Sequence, residues 1–199
     1  HFDLIPVHHL LGERYTFNVP SFQRGYRWGK QEVEDLLCDL AEFADQQTGA
    51  DASGRQPAQT YLLQPLVVRK AGDTQYDVLD GQQRLTTLRI LLQWLKENIA
   101  AEDPSSGTSL FFTITYSYRN QHSPIDFENL NELKNLSHKL NWATSPDHFF
   151  VYKAYECLNQ SVLAHPPLTD RERQVHAILQ NKYTAYTVLR EIRGILSKE

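Results

Sequence analysis

The sequence predicts an α/β (α+β) fold: a mixed sheet with helices, followed by a mostly helical subdomain. Three observations carry this. Short strand-type runs rich in aromatic and β-branched residues recur before residue 120, at 15–19, 61–69, 75–79 and 110–116. Two long runs with helical apolar spacing, 30–47 and 85–99, lie among them. After residue 120 three helical patterns take over, punctuated by Pro124, Pro146 and the pair Pro166-Pro167. The expected division is therefore 1–119 for the mixed domain and 120–199 for the helical subdomain, with no internal repeat.

The bulk properties set the outer bounds. A chain of 199 residues with 41% hydrophobic and 22% charged content can build a real core, as one large domain or two small ones. No apolar run approaches the roughly 20 residues of a membrane helix, and 1–6 lacks the layout of a signal peptide. Cys38 and Cys157 fall in separate helical patterns, so reduced thiols in a reducing, cytoplasmic compartment are expected rather than a disulfide or zinc. A net charge of -4 argues against nucleic acid held mainly by electrostatics, leaving a localised basic site open. Methionine is absent. The expectation is a trimmed piece of a longer gene product, its helical part truncated at the C-terminal end, or a sequence with residues missing internally.

In chain order, 2–11 is an apolar lead-in or short strand that ends near Gly12 and carries the pair His8-His9. Tyr15-Thr16-Phe17-Asn18-Val19 alternates as a half-exposed strand does, and Pro20 stops it. The loop that follows, through Phe22-Gln23-Arg24-Gly25-Tyr26-Arg27-Trp28, crowds two arginines, a glutamine and three aromatics around one glycine. It is either a surface loop with its aromatics folded onto the core or a recognition loop, since Gln and Arg make bidentate contacts and aromatics stack on bases. Val33, Leu36, Leu37, Leu40, Phe43 and Ala44 then line one face of an amphipathic helix. The 48–60 stretch is a flexible loop by composition.

Residues 61–69 read as a buried strand in which Pro65 implies an edge position or a bulge. Ala71-Gly72-Asp73 is a turn into a partner strand at 75–79, and the helix from Leu85 to Ile99 is apolar over most of its surface. After a linker at 101–109 and a strand at 110–116, helices are expected at 126–140, 146–164 and 169–183, the last opened by a capping-box pattern at Thr169-Asp170-Arg171-Glu172. The segment 184–199 suits either a strand or a helix.

The most informative stretch is Val78-Leu79-Asp80-Gly81-Gln82-Gln83-Arg84-Leu85-Thr86-Thr87-Leu88. It has the layout of a strand, a tight turn and a helix N-terminus, which aims backbone N–H groups and the positive end of the helix dipole at an anion. Arg84 adds a donor fork matched to phosphate, and Asp80 a carboxylate at the strand end. Each has a structural alternative: Asp80 as an N-cap, Arg84 in a salt bridge to the 30–47 helix, Thr86 and Thr87 as helix-start caps. The Walker pattern is absent.

The two loops together resemble the N-terminal domain of GmrSD-type, modification-dependent restriction enzymes, within the ParB/sulfiredoxin-like superfamily. The residues that carry the likeness are Phe22 to Trp28, the helical Leu36-Leu37-Cys38-Asp39-Leu40, and Asp80-Gly81-Gln82-Gln83-Arg84-Leu85-Thr86-Thr87-Leu88. It covers residues 4–100 well and the helical remainder only in general style. The resemblance implies a nucleoside triphosphate cradled by the Asp80 to Arg84 loop, with Gly81, Gln82 and Gln83 around the phosphates and Arg84 pairing to them; the mechanism expected for such a site adds Mg²⁺ as cofactor and hydroxyl contacts from Thr86 and Thr87 in the first helical turn. Asp80 and Arg84 would be catalytic in a Mg-dependent nucleoside triphosphatase, with Asp80 holding the metal through water or orienting the attacking water. Gln23 and Arg24, with Arg27 and Trp28, would sense modified DNA or contact nucleotide. The expected partners are nucleotide, modified DNA and an HNH-type nuclease domain or subunit; a homo-oligomer is left open, and no membrane is expected.

Departures temper this. Phe22 replaces the family's Tyr, and Gln64-Pro65 stands where a Leu-Gly pair is general. The family's downstream Phe-Glu-x-x-Asn segment is not recognised, and no HNH constellation is present, so His8-His9 are read as structural or exposed and the chain is not expected to cut DNA by itself. The alternative function is a non-hydrolysing sensor that binds modified DNA or nucleotide and signals to a partner nuclease; a third is a docking domain that binds neither.

Overall fold

The structure, a computed structural model, describes residues 2–6, 15–48, 62–102, 112–117, 124–136, 146–163, 170, 173–174, 177–178 and 193–198. The elements are β1 (Phe2–Pro6), β2 (Thr16–Val19), α1 (Lys30–Thr48), β3 (Leu62–Lys70), β4 (Gln75–Asp80), α2 (Gln82–Glu102), β5 (Thr113–Tyr116), α3 (Leu130–Leu136), α4 (Pro146–Leu163) and β6 (Arg193–Lys198). The strands form one mixed sheet in the order β1-β6-β3-β4-β2-β5. β4 runs antiparallel to β3 and parallel to β2, and β2 runs parallel to β5. β6 runs parallel to β3 and antiparallel to β1. The α/β expectation holds.

Alternation builds β2, β4 and β5. Phe17 and Val19 of β2, Tyr76 and Val78 of β4, and Ile114 and Tyr116 of β5 are all buried, while Thr113 and Thr115 face out. Their rings interlock: Phe17 stacks with Tyr76 at 5.9 Å and meets Phe112 edge-on at 5.6 Å. α1 turns Val33, Leu36, Leu37, Leu40 and Phe43 inward, on the spacing read from the sequence. α2 is enclosed over Leu85, Leu88, Ile90, Leu91, Leu92, Trp94 and Leu95, as its nearly continuous apolar character demands. α4 packs against both α1 and α2 through a face that includes Val151, Ala154, Tyr155 and Leu158.

Pro65 is a correction in part. β3 is an interior strand between β6 and β4, so the edge reading does not hold. The bulge reading does: register shifts fall between Leu63 and Leu66 against β6, and between Val67 and Val68 against β4. A proline has no N–H to give the ladder, and the irregularity spares that bond.

The helix bounds also move. α2 starts at Gln82, ahead of its first apolar residue, and runs to Glu102, into the expected linker. α3 begins at Leu130 rather than 126, because the Asp126 carboxylate ties up the preceding turn. Asp126 accepts from the Glu128 backbone N–H at 2.9 Å and from the Asn129 side-chain amide at 2.7 Å. These bonds hold the Asp126 carboxyl below its ordinary range. The ambiguous C-terminal segment supplies a strand at Arg193–Lys198. Helical conformation appears at 170, 173–174 and 177–178 within the expected 169–183 helix. The 49–60 part of the loop, 103–109 of the linker, His8-His9, Thr169 and 184–192 lie outside the described residues.

Candidate functional site

β4 ends at Asp80 and α2 begins at Gln82, so Gly81 alone makes the turn. It does so at φ +89°, in the left-handed region. A Cβ there would stand 3.0 Å from Leu66 Cδ1 and 3.2 Å from the Pro65 carbonyl oxygen, so the turn also needs the missing side chain to nestle against the β3 bulge. The first helical bond runs from Leu85 N–H to the Gly81 carbonyl at 3.0 Å. The N-cap position is thus Gly81 and not Asp80. A glycine cap brings no side-chain oxygen to the first-turn N–H groups.

Asp80 is exposed one residue earlier; its backbone pairs with Val67 of β3, and its carboxylate has no hydrogen-bond partner among the described residues. Arg84, half-buried in the first turn, donates from Nη2 to the Pro65 carbonyl at 3.2 Å. The strand bulge and the helix start are thereby tied together by the same arginine that the sequence marks as an anion ligand.

The neighbouring polar residues are committed to the protein. Gln83 is buried and clamps the loop of residues 20–29: its Oε1 accepts from Arg27 N–H at 2.8 Å, and its Nε2 donates to the Gly25 carbonyl at 2.9 Å. Gln82 donates to Gln23 Oε1 at 3.4 Å, and Gln23 donates in turn to the Leu79 carbonyl at 2.6 Å. Thr86 and Thr87 return their hydroxyls to the Gln82 and Gln83 carbonyls at 2.7 and 3.0 Å. They also pair with the Tyr116 and Tyr26 phenols at 2.6 and 2.9 Å. Buried and bonded in this way, neither threonine caps the helix, and both hydroxyls are turned to protein groups. Burial pushes the Tyr26 phenol above its ordinary range, so it stays neutral.

The 20–29 loop divides its residues between core and solvent. Tyr26 is 0% exposed, and Trp28 packs partly buried against the core. Arg27 is also consumed: its guanidinium bonds Asp147 and the Tyr26 carbonyl and lies 5.5 Å over the Phe150 ring. Phe22 is 69% exposed, and Arg24 projects with no partner among the described residues. The structure therefore brings Gln23, Gln82 and Gln83 together as scaffold. Phe22, Arg24, Asp80 and Arg84 are left toward solvent around it, while Arg27 and Trp28 turn away.

One motif was missed in the sequence. Phe127-Glu128-Asn129-Leu130-Asn131 does carry the Phe-Glu-x-x-Asn spacing. The structure makes it conspicuous, because Glu128 pairs with Arg89, whose side chain is only 1% exposed, and with Lys96 at 3.3 Å. Burial lowers the Arg89 pKa, and the Glu128 charge opposes the drop. Gln93 joins the Glu128 carbonyl to Glu97 at 2.9 Å on each side, and Asn131 bonds Glu97 at 2.9 Å and Tyr155 at 2.9 Å. The spacing itself was the signal.

The sequence profile described as "GmrSD restriction endonuclease, N-terminal domain" matches residues 7–192. The chain belongs to this family. Membership makes the GmrSD-type domain a component of a restriction or phage-defence system, and its match extends through the helical part as well as the two loops. No curated protein matches the chain. Among the described residues, no helix is long and apolar enough to cross a membrane.

Proposed function

We propose that this GmrSD-type domain binds and hydrolyses a nucleoside triphosphate at the start of α2, and so controls a DNA-cleaving domain or subunit carried elsewhere. The observation that carries the reading is the glycine-capped N-terminus at Gly81, flanked by the exposed carboxylate of Asp80 and the half-buried guanidinium of Arg84. First-turn N–H groups and the helix dipole favour a phosphoryl tail, and Arg84 adds a charged donor pair. Asp80 would orient the attacking water, or would hold Mg²⁺ through water. Among the described residues no group of three or more His, Cys, Asp or Glu can hold a metal. A cation arriving with the phosphates would take the Asp80 carboxylate and neutralise phosphate charge.

A Mg²⁺-dependent phosphate-release assay across all four nucleoside triphosphates tests this. The expected result is release with at least one of them, lost in Asp80→Asn. A second reading, a sensor without turnover, is favoured by the exposed Phe22 ring beside Arg24, a pairing suited to stacking on a base and contacting phosphate of modified DNA. Saturable nucleotide or DNA binding without release selects it. No binding of either ligand overturns both.

A further inference from the structure

We propose that Gln83, Gly25, Arg27 and Asp147 form a relay that transmits occupancy of the α2 N-terminus to the first turn of α4, making α4 the output element of the domain. The inference rests on the phosphate-binding reading and names how that site is read out.

Gln83 is the second residue of α2, so its backbone lies within the turn that receives the anion. Its side chain grips the 20–29 loop at two points, the Arg27 N–H at 2.8 Å and the Gly25 carbonyl at 2.9 Å. Two bonds from one planar amide fix position and orientation together, so a shift of the helix start is carried into residues 25–27. Both of those points then touch α4. A Cβ on Gly25 would fall 1.9 Å from Asp147 Oδ1, a closeness that only glycine permits. Arg27 bonds Asp147 and covers the Phe150 ring at 5.5 Å. Asp147 and Phe150 are one turn apart on α4, so both seat on the same guanidinium.

From there α4 reaches the interior. Val151, Ala154 and Tyr155 are buried against the rest of the core, and Tyr155 bonds Glu97 far along α2. A displaced first turn therefore has packed neighbours to move. By linkage, a ligand that changes the stability of this turn must have its own affinity changed by the turn.

Two measurements on the whole chain test the relay: hydrogen exchange of the 146–150 amides, and nucleotide affinity with Mg²⁺. In ligand-free protein, Gln83→Leu is expected to raise exchange at 146–150, and Gln83→Glu, which keeps an acceptor for Arg27 N–H, to raise it less. In the presence of nucleotide, wild-type exchange at 146–150 is expected to change. Asp147→Asn is expected to weaken affinity about fivefold or more. Combined with Gln83→Leu, it should add less than its separate effect. Nucleotide that binds while α4 exchange ignores both nucleotide and the Gln83 variants overturns the relay and leaves the binding reading intact. If wild type binds no nucleotide but Gln83→Leu still loosens α4, the binding reading falls and the mechanical link stands.

Discussion

The backbone N–H of Arg27 donates to the side chain of Gln83 at 2.8 Å, across 56 positions of sequence. This bond, with its companion to Gly25, makes the 20–29 loop and the start of α2 a single unit. The two motifs that stand apart in the sequence are one object in space. Their polar residues then sort themselves by geometry. Those that bridge the loops are scaffold, and those left at the rim carry the proposed chemistry.

Gly81 is where backbone conformation and packing make the same demand. Gly81→Ala must hold an L-residue at φ +89° and press a methyl against Leu66 and the Pro65 carbonyl. The left-handed conformation alone costs about 1–2 kcal/mol. Denaturant unfolding should show at least that loss. Gly29→Ala is the control, because its nearest obstacle is Glu32 Oε2 at 3.5 Å, and it should be nearly neutral.

The Tyr26–Thr87 pair is asymmetric. Thr87 gives its proton to the Gln83 carbonyl at 3.0 Å, so Tyr26 is the donor in their 2.9 Å bond. Tyr26→Phe leaves Thr87 still bonded and should cost about 0.5–1.5 kcal/mol. Thr87→Val strands a buried phenol and should cost more, about 1–3 kcal/mol. Equal losses in urea titrations of the two variants would contradict the assigned direction.

Much of this was legible before any coordinates. The alternation of Tyr15 to Val19 gave β2, and the proline-bounded apolar pattern gave α4 at Pro146–Leu163 almost to the residue. Local periodicity records which face is buried, and a face is a local property. Pairwise commitments are not. Nothing near Thr86 or Thr87 in sequence announces that Tyr116 and Tyr26 will claim their hydroxyls, and nothing near Pro65 tells which strands will flank it. Glu128 is 39 positions from Arg89, so their pairing, unlike the motif's spacing, appears only when the helix and the Asp126 turn meet. The candidate site was legible in part for the same reason: the placement of Asp80 and Arg84 depends on the local turn, whereas that of Gln83 and Arg27 depends on a distant loop and on α4.

Acid stability has an identifiable contributor in Asp77. Hydrogen bonds from Asn18 at 3.0 Å and Arg69 at 2.6 Å hold its carboxyl below the ordinary aspartate range. A depressed folded pKa means that the unfolded chain takes up the proton first. The stabilisation is therefore full above the ordinary aspartate value and lost as pH falls through the lowered one. Asp77→Asn should flatten stability against pH in that acid window and lower stability at neutral pH. Thermal unfolding from pH 7 down to pH 2 would show the two curves converge at the acid end; a constant gap would contradict the assignment.

The central claim is that a phosphoryl tail sits at the glycine-capped start of α2 against Arg84. Its most direct measurement is a calorimetric titration of wild type and Arg84→Ala with each Mg²⁺–nucleoside triphosphate, on protein shown to be folded by unfolding curves. Saturable binding to wild type, weakened roughly 10- to 100-fold in Arg84→Ala by loss of a charged hydrogen bond, is the result expected. Wild type that binds none of the four, or an Arg84→Ala variant that binds as tightly as wild type, would contradict it.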